Sequence, residues 1–373
     1  MDLSIIITVH NLEKYVGFCL DSVLNQTLSH DRYEIVAVDD YSTDGSLIIL
    51  REYEKKYPNI RVIHSEKNNG LGATWNIGLR ESHGKWIHFV DADDFVAPNV
   101  YEDLIQYAEK SKADMISVGY WRTSYHDFKH GSVFVPKDDT LVGDIDSIEK
   151  RRKLTDINST LWAKLFSRKL LESVSDENGK CFPEILASDG SKHLDIVYHC
   201  KRYDIYSKPI YYYWQHTYRI SENTLIKTIN EFHYAMVIAK DGGFFDELED
   251  IIIASYIKSY VGFIRKMFGF ISYEKAYKLN LQMYKKMISL IPDIKDLCES
   301  RIRDGIILGI ISSIENNSVR EFKKAYLKGI IRYGLKNHIK NSNRIRKIYD
   351  NFSILRRLNR KINNAPLQGG YSR

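Results

Sequence analysis

Leu3-Ser4-Ile5-Ile6-Ile7-Thr8-Val9 opens the chain as a nearly unbroken apolar run, and a helix-spaced stretch from Glu13 to Asn25 and a second apolar run from Tyr33 to Val38 follow it. Strand, helix, strand in that order is the grammar of a βαβ unit. The pattern goes on: a helix after Ser42-Thr43-Asp44-Gly45, a strand at Ile60 to His64, and a helix from Gly72 to Ser82. A strand at Lys85 to Val90, a helix from Pro98 to Ser111 and a strand at Asp114 to Val118 complete it. Runs this apolar need cover on both faces, so the sequence predicts an α/β fold, a parallel sheet flanked by helices. Beyond residue 118 the alternation stops, and the text turns irregular and aromatic through Tyr125, His126 and Phe134.

The 373 residues carry 54 Lys and Arg against 48 Asp and Glu, a net charge of +6, with 44% hydrophobic residues. That composition belongs to a folded globular protein of two or three domains and excludes disordered and collagenous classes. Cys19, Cys181, Cys200 and Cys298 lie far apart with no C-x-x-C pair, which indicates neither a disulfide framework nor a cysteine zinc site and fits a reducing cytoplasm. The opening apolar run is too short and too soon interrupted by charge for a signal peptide. The stretch from Ile251 to Ile264 is broken by Lys258, so no segment is expected to span a membrane.

The chemistry concentrates where strands end. Phe89-Val90-Asp91-Ala92-Asp93-Asp94 sets three carboxylates directly after an apolar strand, at the edge where open α/β sheets bind ligands. Crowded carboxylates repel unless paired; a hard cation such as Mg²⁺ or Mn²⁺, bridged to phosphate oxygens, removes the conflict. Thr8-Val9-His10-Asn11 with Glu13, and Val38-Asp39-Asp40-Tyr41-Ser42-Thr43-Asp44-Gly45, end the two earlier strands. Parallel strands bring these ends to one edge, where Asp39 or Asp40 accepts from a base N–H while the Asp91 region holds ribose and metal. Asp44 reads as a structural cap for the helix after Gly45.

These blocks, with Asn68-Asn69-Gly70 and Asn76-Ile77-Gly78, stand in the order of the family 2 glycosyltransferases, which residues 1 to about 225 resemble. Trp75 stands where many members carry Arg. The resemblance implies a GT-A nucleotide-diphospho-sugar transferase fold, a Rossmann-like mixed sheet flanked by helices, with an inverting mechanism and a hexosyl- or N-acetylhexosaminyl-transferase activity, usually on a UDP-sugar donor. It implies donor contacts from Thr8, Val9, Asn11, Glu13, Asp39, Asp40, Asn69, Gly70, Asn76, Asp91 and Ala92, and a divalent metal on Asp93 with help from Asp91. Asp94 either ligates or orients the loop. Further along, Trp162-Ala163-Lys164-Leu165-Phe166 resembles the family's W-x-K-L-F block and Phe182-Pro183-Glu184 its F-P-E. Ser188-Asp189 resembles its E-D pair, with Ser in place of Glu, and Asp189 matches the general base; Glu184, His193 and Asp195 lie close enough to compete. Lys164 is a salt-bridged structural lysine or a phosphate or acceptor contact, and Trp162 is core or sugar platform. Arg219, with His216 and Ser221, resembles the polar segment after the aromatic strand Tyr211 to Trp214, whose rings alternate between core and a potential acceptor groove.

From about Thr228 the text is almost wholly helical, so the expected division is a catalytic domain over 1–227 (nucleotide half to about 118, acceptor half to 227) and a helical region over 228–373. Residues 320–361 hold 14 Lys or Arg against Glu321 and Asp350, a net +12 that leaves −6 for the rest. Cations mixed with Leu and Ile suit an anionic membrane surface on the cytoplasmic side. A solvated face, self-association or an acidic partner are the rival readings, and nucleic acid is disfavoured because no recognition fold accompanies the charge. H-E-x-x-H and G-x-x-x-x-G-K-[ST] patterns are absent, which removes zincin and P-loop readings. The acceptor class implied is a cell-surface glycan, a teichoic-type polymer or a polyprenyl-linked sugar; the rival function is a non-catalytic scaffold of the same fold.

Overall fold

All seven residues of β1 (Leu3–Val9) are buried, as a strand covered on both faces must be. β2 (Tyr33–Asp39) pairs beside it in parallel, β3 (Ile60–His64) lies outside β2, and β4 (Trp86–Asp91) takes the other side of β1. The register sets Val9 opposite Asp39, Asp39 opposite His64, and Thr8 opposite Asp91. Four strand ends therefore share one edge, as the βαβ reading requires.

Side chains alternate between the faces of β1. Leu3, Ile5, Ile7 and Val9 pack with buried residues of α1 (Val16–Leu24), α2 (Ser46–Lys56) and α4 (Tyr101–Ser111), while Ile6 packs with Trp75 and Leu79 of α3 (Leu71–Glu81). Beyond β4 the sheet becomes mixed. Its later strands are β5 (Phe95–Val96), β6 (Met115–Thr123), β7 (Ser132–Phe134), β8 (Gly143–Asp144), β9 (Lys164–Ser167) and β10 (Arg202–Trp214). The order is β3-β2-β1-β4-β9-β6-β10-β5, with β7 on β6 and β8 on β10. β9 inserts antiparallel between β4 and β6, and β5 runs antiparallel to β10. The parallel reading of the residues thus describes β1 to β4, and beyond them the sheet is mixed, as the GT-A resemblance implies; the four-residue and two-residue strands there carry too little periodicity to be read before their partners are known. The helices α5 (Ile148–Leu154), α6 (Arg168–Ser173) and α7 (Gly190–His199) cover the same face as α3, through Leu154, Leu170, Leu171, Ile196 and Val197.

The computed structural model describes residues 1–184, 190–215, 222–268 and 271–334. They fall into two units: the sheet unit, to which residues 238–247 also belong, and a helical unit of 222–237 with the described residues from 248 onward. The helices after the sheet are α8 (Glu222–Asp241), which crosses from the second unit to the first, α9 (Phe245–Met267), α10 (Tyr273–Leu290), α11 (Ile294–Arg301), α12 (Gly305–Glu315) and α13 (Val319–Gly329). In the helical unit the Tyr326 hydroxyl lies between the carbonyls of Met267 and Ile271 at 2.6 and 2.8 Å, tying α13 to the end of α9. Among the described residues no helix is long and apolar enough to cross a membrane.

Candidate active site at the strand ends

The first half of the site is a turn held by carboxylates. Asp39 is fully buried; its Oδ2 accepts from the Ser42 N–H at 3.2 Å and lies 2.7 Å from Nδ1 of His64. Its Oδ1 is buried with no hydrogen-bond partner among the described residues. A buried carboxylate oxygen left unpaired is costly and calls for a donor. Asp40 differs: its two oxygens accept from the N–H groups of Asn69 and Gly70 at 2.8 and 2.9 Å. Gly70 sits at φ +83° and ψ 164°, a conformation open to glycine alone, and so carries the turn into α3. The choice between Asp39 and Asp40 that the sequence left open is one between an open acceptor and a filled one.

Asn11 and Glu13 stitch the first turn to the second. With φ +55°, Asn11 accepts from the Thr43 N–H at 2.7 Å, and its own N–H donates to the Ser42 hydroxyl at 3.0 Å. The Glu13 carboxylate accepts from the Gly45 N–H at 2.7 Å, ahead of α2. Asp44 acts structurally, accepting from Ser46 and from the Glu13 N–H. Burial opposes its ionisation, but the Ser46 hydroxyl and these N–H groups outweigh it and hold the Asp44 carboxyl below its ordinary pKa. Thr8 and Val9 are buried in β1, where the Val9 carbonyl accepts from the Asp40 N–H at 2.8 Å. The Asn69 amide reaches the Lys67 carbonyl.

The second half is the acidic turn after β4. Asp91, Asp93 and Asp94 each place a carboxylate oxygen within 4.8 Å of the others. Asp91 and Asp93 are half-buried; Ala92 and Asp94 are buried. Asp94 is held on both oxygens: Oδ1 accepts from the Trp214 N–H at 2.7 Å and Oδ2 from the Tyr211 hydroxyl at 2.8 Å. Burial, then the charges of Asp91 and Asp93, push the Asp94 carboxyl well above the ordinary range against the pull of those two donors. Three crowded carboxylates, all hard oxygen donors, fit a divalent Mg²⁺ or Mn²⁺. The nearby Cys19 thiol, 3.7 Å from the Asp91 carbonyl, is pushed far up by burial and then by the same aspartates, so it stays protonated and inert.

The later blocks are largely structural. Trp162 is buried, stacked on Tyr211 at 4.7 Å and on Tyr213 at 5.2 Å, while Tyr212 stacks on Phe95 and Trp121 of the opposite face. The rings therefore alternate between the two faces of the sheet, with Tyr211 and Tyr212 each buried in an apolar cluster of its own face. Lys164 is buried, its ammonium donating to the carbonyls of Asn158 and Thr160. Trp75, at the position where the family pattern often has Arg, packs against Phe89 and Phe182. Beside it the Asn76 amide makes a two-way clamp on the Phe182 backbone, donating to its carbonyl and accepting from its N–H, both at 2.8 Å. A side chain at Gly72 would meet the Pro183 carbonyl at 2.0 Å, so glycine lets this loop press onto α3. His126 and His130, four apart, form no shared site: His130 pairs with Asp127, and His126 lies against Trp214. Asp189, with its neighbour Ser188, and Arg219, with His216 and Ser221, lie outside the described residues.

Asn76→Ala leaves two buried backbone groups unpaired and is expected to cost about 2–4 kcal/mol, read as a lower urea midpoint at unchanged slope. A shift worth under about 0.5 kcal/mol would mean that the clamp is not formed in solution.

Residues 4–184 match the sequence model of "Glycosyl transferase family 2". A poly(ribitol-phosphate) beta-glucosyltransferase of Bacillus spizizenii is 31% identical over 258 residues, 68% of this chain and 37% of that protein. The uncharacterized glycosyltransferase EpsJ of Bacillus subtilis is 28% identical over 228 residues, 59% of this chain and 63% of its own. The chain thus spans less than two thirds of the length of either relative. Among solved structures, S. aureus TarS 1–349 in complex with UDP superposes with a TM-score of 0.61 at 20% identity, covering 87% of this chain and 90% of that one, a likeness of fold. By its strand-end blocks, its mixed sheet and these matches, the chain belongs to the family 2 glycosyltransferases and has their GT-A fold.

Proposed function

We propose that the protein is an inverting glycosyltransferase that moves a sugar from UDP to a hydroxyl of a cell-envelope polymer of the teichoic type, at the cytoplasmic face of the membrane. The observation that carries the donor half is the unpaired buried Oδ1 of Asp39, on the same sheet edge as the three aspartates. A carboxylate acceptor there suits the N3–H of uracil and opposes the ring acceptor that cytosine or adenine presents on the matching edge. Relatives named for transfer to poly(ribitol-phosphate), in Bacillus spizizenii and Staphylococcus aureus, support the acceptor class. TarS has also been crystallised with UDP-GlcNAc, which supports the donor class.

In this reading Asp91 and Asp93 hold a divalent cation, whose chemistry is to offset the negative charge of the leaving nucleoside diphosphate. Asp94 braces their loop. Asp189 takes the proton from the acceptor hydroxyl as that oxygen attacks the anomeric carbon on the face opposite the diphosphate. What supports it, besides its place in the family pattern, is the anchoring of the chain before it by Asn76 and Gly72. The four buried free cysteines suit a reducing compartment. On α13 and just beyond, the cations Arg320, Lys323, Lys324, Lys328 and Arg332 outnumber the one acid of that stretch, Glu321, and Leu327 is about half exposed, which supports peripheral binding to anionic lipid. Anionic vesicles are expected to sediment the full chain but not a variant with the first four cations changed to Gln.

Calorimetric titration with UDP, with and without Mn²⁺, tests the reading without knowledge of sugar or acceptor. Mn²⁺-dependent binding is the expected result. No UDP binding under either condition would refute the donor assignment and leave a GT-A scaffold that assembles other enzymes as the function.

A further inference from the structure

Tyr211 touches both ends of the acidic turn. Its hydroxyl donates to Oδ2 of Asp94 at 2.8 Å and accepts from the Asp91 N–H at 3.1 Å. The ring is fully buried, stacked on Trp162 at 4.7 Å with the planes 14° apart, and meets His88 edge-on at 6.0 Å. Three residues on, the Trp214 N–H takes the other oxygen of Asp94. Between the two, Tyr211 and Tyr212 pair with Val96 and Phe95 of β5, the strand that directly follows the turn. The turn itself is closed by one backbone bond, from the Asp94 N–H to the Asp91 carbonyl at 3.0 Å. Three like charges in one short loop push it apart, and here two bonds that hold it come from β10, a strand more than a hundred residues away in sequence.

We infer that Tyr211 is a positioning residue of the cation site: its hydroxyl, by bridging the Asp91 backbone and the Asp94 carboxylate, sets the spacing at which Asp91 and Asp93 present their oxygens to a divalent ion. The inference rests on the metal-dependent donor site proposed above. Cation sites need their ligands oriented by outer partners, and loss of such a partner costs metal affinity without removing a ligand. Trp162 contributes by fixing the ring in its plane. The W-x-K-L-F block then has a physical task near the turn, as the floor under Tyr211.

The test is Tyr211→Phe, which removes one oxygen and keeps the ring, its stack on Trp162 and its packing on His88. UDP titrations are run with and without Mn²⁺, and bound Mn²⁺ is counted separately from the loss of the free-ion electron paramagnetic resonance signal. The expected result is a Mn²⁺–UDP affinity about ten- to a hundredfold lower, with UDP affinity in EDTA unchanged. Tyr203→Phe is the control for losing a buried hydroxyl, being in the same strand and buried far from the turn in register. It should bind Mn²⁺–UDP as the wild type does. The inference falls if Tyr211→Phe binds Mn²⁺ with wild-type affinity, or if Tyr203→Phe is equally impaired. Should Tyr211→Phe fail to fold, Trp162→Phe decides in its place: a smaller ring under Tyr211 is expected to cost about threefold in Mn²⁺ affinity, and no loss overturns the inference. Wild type that binds no UDP with Mn²⁺ refutes the donor-site reading instead, so the two failures are distinguishable.

Discussion

Asp93→Ala is expected to abolish the Mn²⁺ dependence of UDP binding and to lower sugar transfer by about a hundred- to a thousandfold or more, while UDP binding in EDTA persists at its weaker level. The argument is one of separate halves. In the proposed site the base end is Asp39, whose carboxylate is fixed by Ser42 and His64. The cation end is built on the turn after β4 and braced by β10. Removing a carboxylate from the second leaves the first intact. Asp39→Ala should show the converse, with UDP binding lost in both conditions. Unfolding does not explain the loss in Asp93→Ala. Asp91 and Asp93 both push the Asp94 carboxyl upward, so deleting one of three crowded charges relieves repulsion. The thermal midpoint of Asp93→Ala in EDTA should therefore equal or exceed that of the wild type. A variant that keeps Mn²⁺-dependent UDP binding would sink the assignment of the cation to this turn.

The sequence makes the two halves visible to different degrees. β1 through β4 are legible because each is long enough to show its apolar run, and the helices between them start at polar turns with the right residues. β9 and β5 are not, since Lys164–Ser167 and Phe95–Val96 become strands only when β4, β6 and β10 offer them partners. Among the candidate residues, residue type and order pick out the carboxylates but not which oxygens the chain itself fills. Asp39 and Asp40 are adjacent and chemically identical; only the turn at Asn69 and Gly70, some thirty residues on, distinguishes them. Lys164 is buried with its ammonium on two carbonyls of the preceding loop, a placement that its residue type does not announce. Tyr211 had no local signal at all beyond its place in an aromatic strand, because its task is set by a partner 117 positions earlier. Long-range pairing of this kind is what a linear reading lacks.

Acid should unfold this protein well above the pH at which its carboxylates protonate, and two buried imidazoles are the reason. His88, in β4, is fully buried; its Nδ1 lies 2.8 Å from the Tyr101 hydroxyl and its Nε2 3.0 Å from the Trp162 carbonyl. A carbonyl can only accept, so Nε2 carries the hydrogen and Nδ1 accepts from Tyr101, which leaves no place for a second proton. Burial lowers the pKa of His88 to about 4, against a smaller upward pull from the Trp162 carbonyl. His193, in α7, is lowered to about 3 by burial and then by the charge of Lys164, with the Thr155 carbonyl pulling the other way. The unfolded chain protonates both near pH 6.5, so below that pH it binds more protons than the native state and stability falls with falling pH. Each histidine stops contributing to the fall only once its native pKa is passed. At pH 5 the cost is about 2 kcal/mol for each and about 4 for the pair, a large part of the roughly 5–15 kcal/mol that holds a domain together. His199 works in the opposite direction. The Asp195 carboxylate, by hydrogen bond first, raises it against burial, so its contribution is present below pH 6.5 and lost as pH rises. His199 is only half-buried and recovers little; the Asp94 carboxyl, raised by burial and then by Asp91 and Asp93, also takes up its proton in the native state before the unfolded chain does and offsets part of the fall. Urea unfolding at pH 7 and pH 5 checks the sum, and His88→Gln checks the cause. The Gln amide can donate to Trp162 and accept from Tyr101 without titrating, so the difference between the two pH values should shrink by about half. A pH difference that does not shrink in His88→Gln would mean that this imidazole is hydrated, and that the packing of His88 beneath Tyr211 and the acidic turn is looser than the geometry indicates.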